Sequence, residues 1–120
     1  MPDYNKLLGS AADWTVVATV ANNTACVATK AAPGANKRHF ITGITISCSA
    51  APSATVAAHL DTASTVLDQF EIPASAFSPI VEGYTRPLTG GVNEVITLTI
   101  PAVGGTTRAT AVLKGFTTHE

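Results

Sequence analysis

The sequence predicts an all-β chain: an antiparallel β-sandwich or jelly roll of about eight strands. Three observations predict it. Short runs alternate β-branched or aromatic residues with others, most openly in Lys37–Cys48, KRHFITGITISC. Turn-forming clusters separate these runs about every 8–14 residues, and no long stretch carries a helical period. At 120 residues the chain suits one domain with one core. The expected division is an N-terminal arm over residues 1–13 and a single sandwich domain over 14–120.

Residues 1–13 hold Pro2, Asp3, Asn5 and Gly9, which discourage a regular element. They read as an arm whose Tyr4, Leu7 and Leu8 can be buried on a neighbour. Trp14–Val20 places Trp14, Val16, Ala18 and Val20 on one face. Asn22-Asn23 is a turn signal, and Thr24–Lys30 follows, so these two strands are expected to form a hairpin. Alanine would also allow a helix here, but the β-branched content and the alternation favour strand.

Ala31–Asn36 contains Pro33-Gly34 and is a loop. The long run from Lys37 to Cys48 then reads as a central strand. Phe40, Thr42, Ile44, Ile46 and Cys48 share one parity, and Gly43 marks a bulge or a close backbone neighbour. Ala54–Leu60 and Ser64–Ile72 are strands joined through Asp61-Thr62-Ala63. The mixed pattern of the second suits a strand with a partner on each side. Pro73–Pro79 is a loop carrying Phe77. Ile80–Leu88 contains Pro87, which sends it to a sheet edge. After Thr89–Asn93, Glu94–Ile100 turns Ile96, Leu98 and Ile100 inward. Thr107–Thr117 closes the chain with Ala109, Ala111 and Leu113 opposing Arg108, Thr110, Val112, Lys114 and Phe116. Two four-stranded sheets packed face to face accommodate this count. The immunoglobulin order Cys…Trp…Cys is absent, because Trp14 precedes both cysteines.

Composition bounds the function. Charged residues make up 12% of the chain, against about 25% in typical soluble domains. Mean hydropathy is +0.29. An under-charged surface without a long apolar segment points to burial against other subunits. The net charge of −1, with Lys37-Arg38 the one adjacent basic pair, argues against nucleic acid. No stretch reaches the roughly 20 apolar residues of a membrane helix, and MPDYNKLLGSAADW is not a secretory signal, so synthesis in a cytoplasm is expected. Cys26 and Cys48 are then expected as reduced thiols, with a bridge open only if their strands are neighbours.

Chemistry is thinly supplied. His39, His59 and His119 show no metal spacing, and His59 near Asp61 is a single weak pair. Asp61, Asp68, Glu71 and Glu82 show no arrangement expected of paired catalytic carboxylates. Nucleophile elbows and phosphate loops are missing. The chain therefore reads as no enzyme, with no cofactor and no metal. Lys37, Arg38 and His39 read as a solvated strand entry, a corner available for contact.

The run KRHFITGITISCSA, then VLDQFEIP, then RPLTGGVNEVITLTIPAVGG and TTRATAVLKGFTT resembles small tailed-phage virion proteins. It is similar to the jelly-roll head decoration (cement) proteins and, more loosely, to the sheet domains of phage fibres. The resemblance spans Lys37–Thr117. It implies a structural virion protein, assembled in a host cytoplasm. Such a protein would sit as a homo-oligomer, a trimer, on the outside of a capsid and hold the major capsid protein. Tyr4, Leu7, Leu8, Lys37, Arg38 and His39 are the contacts expected under it. The alternative is a carbohydrate-binding β-sandwich module or phage adhesin domain, with Trp14, Phe77 and Tyr84 as stacking candidates. A small cupin-like enzyme is the third reading.

Overall fold

The computed structural model describes residues 13–74 and 79–119. Residues 1–12 of the expected arm, with Tyr4, Leu7 and Leu8, and the loop residue Phe77 lie outside the described residues. Eight strands are described: β1 (Asp13–Thr19), β2 (Cys26–Lys30), β3 (Lys37–Cys48), β4 (Val56–Asp61), β5 (Val66–Ile72), β6 (Ile80–Val92), β7 (Ile96–Ile100) and β8 (Ala109–His119). They form two antiparallel sheets, sheet A in the order β1-β8-β3-β6 and sheet B in the order β2-β7-β4-β5. This is the expected two-sheet jelly roll.

Alternation builds the core. Ile41, Ile44, Ile46 and Leu113 from sheet A meet Leu60, Ile96, Leu98 and Ile100 from sheet B, all essentially inaccessible. Ala28, Ala58, Ala109 and Ala111 lie in the same buried cluster. Small residues among branched ones let the two inner faces interdigitate at interior density. β7 shows the pattern at its simplest: Ile96, Leu98 and Ile100 are buried, and Thr97 and Thr99 are not.

Three expectations are corrected. β1 and β2 do not form a hairpin. β1 pairs with β8 and β2 with β7. Each has only one apolar face, and placing the strands in opposite sheets lets these faces cover one another, with the Cys26 Sγ 3.3 Å from the Ala18 carbonyl. The connecting turn uses Asn23 at φ 51°, whose N–H donates to the Thr107 carbonyl at 2.8 Å; asparagine tolerates this left-handed geometry.

The second correction concerns parity in β3. Its register slips between Ile41 and Gly43 against both β6 and β8. The extra residue Thr42 reverses the alternation, so His39 and Ile41 face inward before the bulge and Ile44 and Ile46 after it. Phe40 therefore faces out.

The third concerns β5, which is an edge strand rather than a central one. Its mixed pattern has another cause. Asp68, opposite the buried Leu60, accepts a hydrogen bond from the Tyr84 hydroxyl at 2.9 Å. Tyr84 belongs to β6, the neighbouring edge of sheet A, so this bond ties the two sheets together. Burial and the Asp68 carboxylate hold the Tyr84 hydroxyl in its protonated, donating form, with its pKa above the usual phenol value. Tyr84→Phe should cost about 1 kcal/mol in urea unfolding, with the midpoint falling and the slope unchanged.

β6 also carries Pro87 at the expected sheet edge. Leu88 lies opposite Ile41 and Gly83 opposite Gly43, so Tyr84–Pro87 arch out of the ladder. A residue without an N–H is accommodated there because no partner strand needs it.

Candidate binding face

Register places the outward residues of sheet A in rows that cross its strands. One row reads Val17, Val112, Thr45, Val81. The next reads Thr15, Lys114, Gly43, Gly83, and the third Asp13, Phe116, Phe40, Thr89. The middle row ends in two glycines, so the face dips there between two side-chain walls.

The dip is a shallow trough of two depressions on either side of Lys114. The first, of about 350 Å³, is bounded by Asp13, Thr15, Thr42 and Phe116, with Trp14 visible beside Gly115. The second, of about 240 Å³, is bounded by Thr42, Thr45, Val81 and Glu82 over Gly43 and Gly83. Thr42, the bulged residue, stands in both. The trough crosses three inter-strand spacings, about 14 Å.

Both walls present apolar surface. On one, Phe40 and Phe116 stack with ring centroids 5.1 Å apart and planes 9° from parallel. On the other, Val17 is 62% and Val81 71% exposed. Polar groups stand beside and between them: the Lys114 ammonium, the Asp13 carboxylate, the threonine hydroxyls and, over Gly43, the backbone carbonyl of Glu82. Such a surface can hold a ligand with apolar faces and a hydroxylated rim.

The residues singled out from the sequence distribute differently. Lys37 and Arg38 are half-buried, and Arg38 Nη1 donates to the Gly90 carbonyl at 3.0 Å. His39 does not share their surface: it is 1% exposed and points between the sheets. The expected corner is thus two cations at the surface and one buried imidazole, because the β3 alternation turns every second residue inward. Trp14 also faces inward, with Nε1–H donating to Thr117 Oγ1 at 3.0 Å and its ring edge-on to His39 at 5.3 Å. Tyr84 is engaged with Asp68. Neither offers a free ring face on the trough, and the aromatic pair on the wall is Phe40 with Phe116 instead. Phe116 shares the outward parity of Arg108 and Lys114 and could be read as exposed; Phe40 was hidden by the bulge.

His59 and Asp61 approach to 2.6 Å on the outer face of sheet B, the opposite side of the molecule. Among the described residues no three His, Cys, Asp or Glu side chains gather as a metal would require. Cys26 and Cys48 are free thiols, and burial pushes the pKa of both up, away from the reactive thiolate. No described helix is long and apolar enough to cross a membrane.

No family model matches the chain, and no curated protein matches it. Among solved structures it is similar to the CBM36-1 domain of a multidomain xylanase from the hindgut metagenome of Trinervitermes trinervoides. That match has 15% identity and a TM-score of 0.48, covering 86% of this chain and 95% of the other. A carbohydrate-binding module CBM36 in complex with calcium and xylotriose matches at 14% identity and a TM-score of 0.38, over 86% and 78% of the two chains. At these values the likeness is loose, and nothing about function follows from it.

Proposed function

We propose that the chain is a carbohydrate-binding β-sandwich module that holds a glycan chain in the trough of sheet A and does no chemistry on it. The observation that carries this reading is the trough itself, floored by Gly43 and Gly83 between an aromatic wall and a threonine-lined, valine-edged one. A pyranose has apolar C–H faces and a rim of hydroxyls, so it needs flat apolar surface beside convergent donors and acceptors. Phe116 and Val81 supply the first, and Thr15, Thr42 and Lys114 the second.

Gly83 provides a clean test, since a Cβ built there meets nothing within 4 Å. Gly83→Val should leave the melting temperature within about 2 °C and remove binding, because the side chain fills the second depression without touching the fold. Phe116→Ala should weaken binding at least about tenfold, the equivalent of about 1.4 kcal/mol. Calorimetric titration against a panel of neutral and acidic oligosaccharides reads both. A flat response to the whole panel by the wild-type chain sinks the proposal.

A second reading is favoured by the Val17–Val112–Thr45–Val81 row: a virion decoration protein, a homotrimer covering this face against its copies or the major capsid protein. Monomers seldom leave so continuous an apolar row in water. Light scattering separates the two. A salt-resistant trimer lost in a Val17→Lys/Val81→Lys variant supports decoration, and a monomer that binds sugar supports the trough.

A further inference from the structure

His39 is the one buried side chain of the described residues that can change charge near neutral pH while holding three elements together. Its two ring nitrogens are both engaged: Nε2 lies 2.7 Å from the Ala31 carbonyl and Nδ1 2.7 Å from Thr117 Oγ1. A carbonyl only accepts, so Nε2 carries the proton. Nδ1 is then the acceptor and the Thr117 hydroxyl donates to it. Thr117 Oγ1 in turn accepts from Trp14 Nε1–H at 3.0 Å. The result is one directional relay, Trp14 to Thr117 to His39 to Ala31, fully satisfied only when the imidazole is neutral. It ties the start of β1 to the end of β8, to β3 and to the loop after β2.

We propose that His39 is an acid-sensitive latch: a second proton on its ring reverses the bond at Thr117, strands the Thr117 hydroxyl hydrogen beside a buried charge and so loosens the Trp14 end of β1, and with it one border of the first depression. With Nδ1 protonated, His39 and Trp14 both point donors at one hydroxyl oxygen, and the Thr117 hydroxyl hydrogen loses its acceptor. The new charge is buried. The groups packed on it are Trp14 from β1, Thr117 from β8 and the Ala31 carbonyl from the loop. The charged group acting on it is Lys30 of β2, whose ammonium lies 5.4 Å from the Trp14 ring centroid and repels the imidazolium. Burial first, and then Lys30, lower the His39 pKa below its ordinary value, against the pull of the Ala31 carbonyl.

The sign follows. The unfolded chain takes up this proton at about pH 6.5, before the folded chain does. Stability from the neutral relay is therefore complete above that pH and is lost as pH falls through it towards the lower folded value.

The latch does not depend on any ligand. Trp14 is the single tryptophan, so its indole signal reports on it alone. In the wild-type chain, NMR from pH 8 to pH 4.5 should show the His39 imidazole titrating below about 6.5. The Trp14 indole N–H should shift with the same midpoint, while the methyl signals of Leu98 and Ile100 hold. His39→Gln should remove the Trp14 transition. Titration of His39 at or above its ordinary value overturns the proposal. So does an indole signal that ignores it, or core methyls that move with it, which would mean global unfolding.

Discussion

Gly115→Ala should destabilise the domain by more than about 3 kcal/mol, enough to leave a large unfolded fraction at room temperature if the parent is of ordinary stability. A Cβ at Gly115 collides with the backbone carbonyl of Phe40 on the adjoining strand and comes within 2.7 Å of the Trp14 indole. Neither can yield. The carbonyl belongs to the β3–β8 ladder, and the indole is held by Thr117 and packed on His39. Trp14 lies directly opposite Gly115 across β1 and β8, so the ring covers the backbone that the glycine leaves bare. Gly83→Ala is the control. It lies on another strand of the same sheet in open space, and the smaller entropy its unfolded chain gains makes it neutral or slightly stabilising, by up to about 1 kcal/mol. Urea unfolding of both variants checks the pair. Equal effects would mean that glycine content, rather than the Trp14–Gly115 contact, matters in sheet A.

Leu98→Ala should cost about 2–5 kcal/mol. Leu98 is wholly buried in the middle of β7, with Ala28 opposite on β2 and Leu60 opposite on β4. It belongs to the same core cluster as Ile44 and Leu113 of the other sheet. Its neighbours are anchored in ladders on both sides, so the void cannot collapse, and the cost falls in the upper half of that range. The neighbouring Thr99→Ala removes an outward side chain and should stay within about 0.5 kcal/mol. Thermal and chemical denaturation should agree on this order, and a Leu98→Ala change under about 1 kcal/mol would show that the inner faces are loosely packed.

These two effects sit on the inner face, while the proposed binding chemistry sits on the outer face of sheet A. Substitutions in the trough should therefore change binding without changing stability, and core substitutions should do the reverse. Trp14 and Gly115 are the exception. They belong to the core and also border the first depression, which is why the His39 latch beneath them can reach the binding face.

Strand count, the inward sets of β7 and β8 and the edge position of β6 were legible in the sequence because they depend on local geometry. Side chains alternate every two residues, so Ile96, Leu98 and Ile100 had to share a face, as did Ala109, Ala111 and Leu113. Pro87 had to lie on an edge because it has no N–H to give a ladder. Gly43 signalled the bulge. What that bulge did was not legible: one extra residue reverses parity, which buried His39 and put Phe40 beside Phe116. Strand pairing was not legible either, since it joins residues far apart, as in Trp14 and Thr117, separated by 103 positions. Alternation says that β1 and β2 each own an apolar face; only the closing of two sheets over one core decides that these faces oppose one another instead of lying side by side. The trough arises the same way. Gly43, Gly83 and Lys114 have no common pattern along the chain, and they meet because register across β8, β3 and β6 is set by the burial of the opposite face.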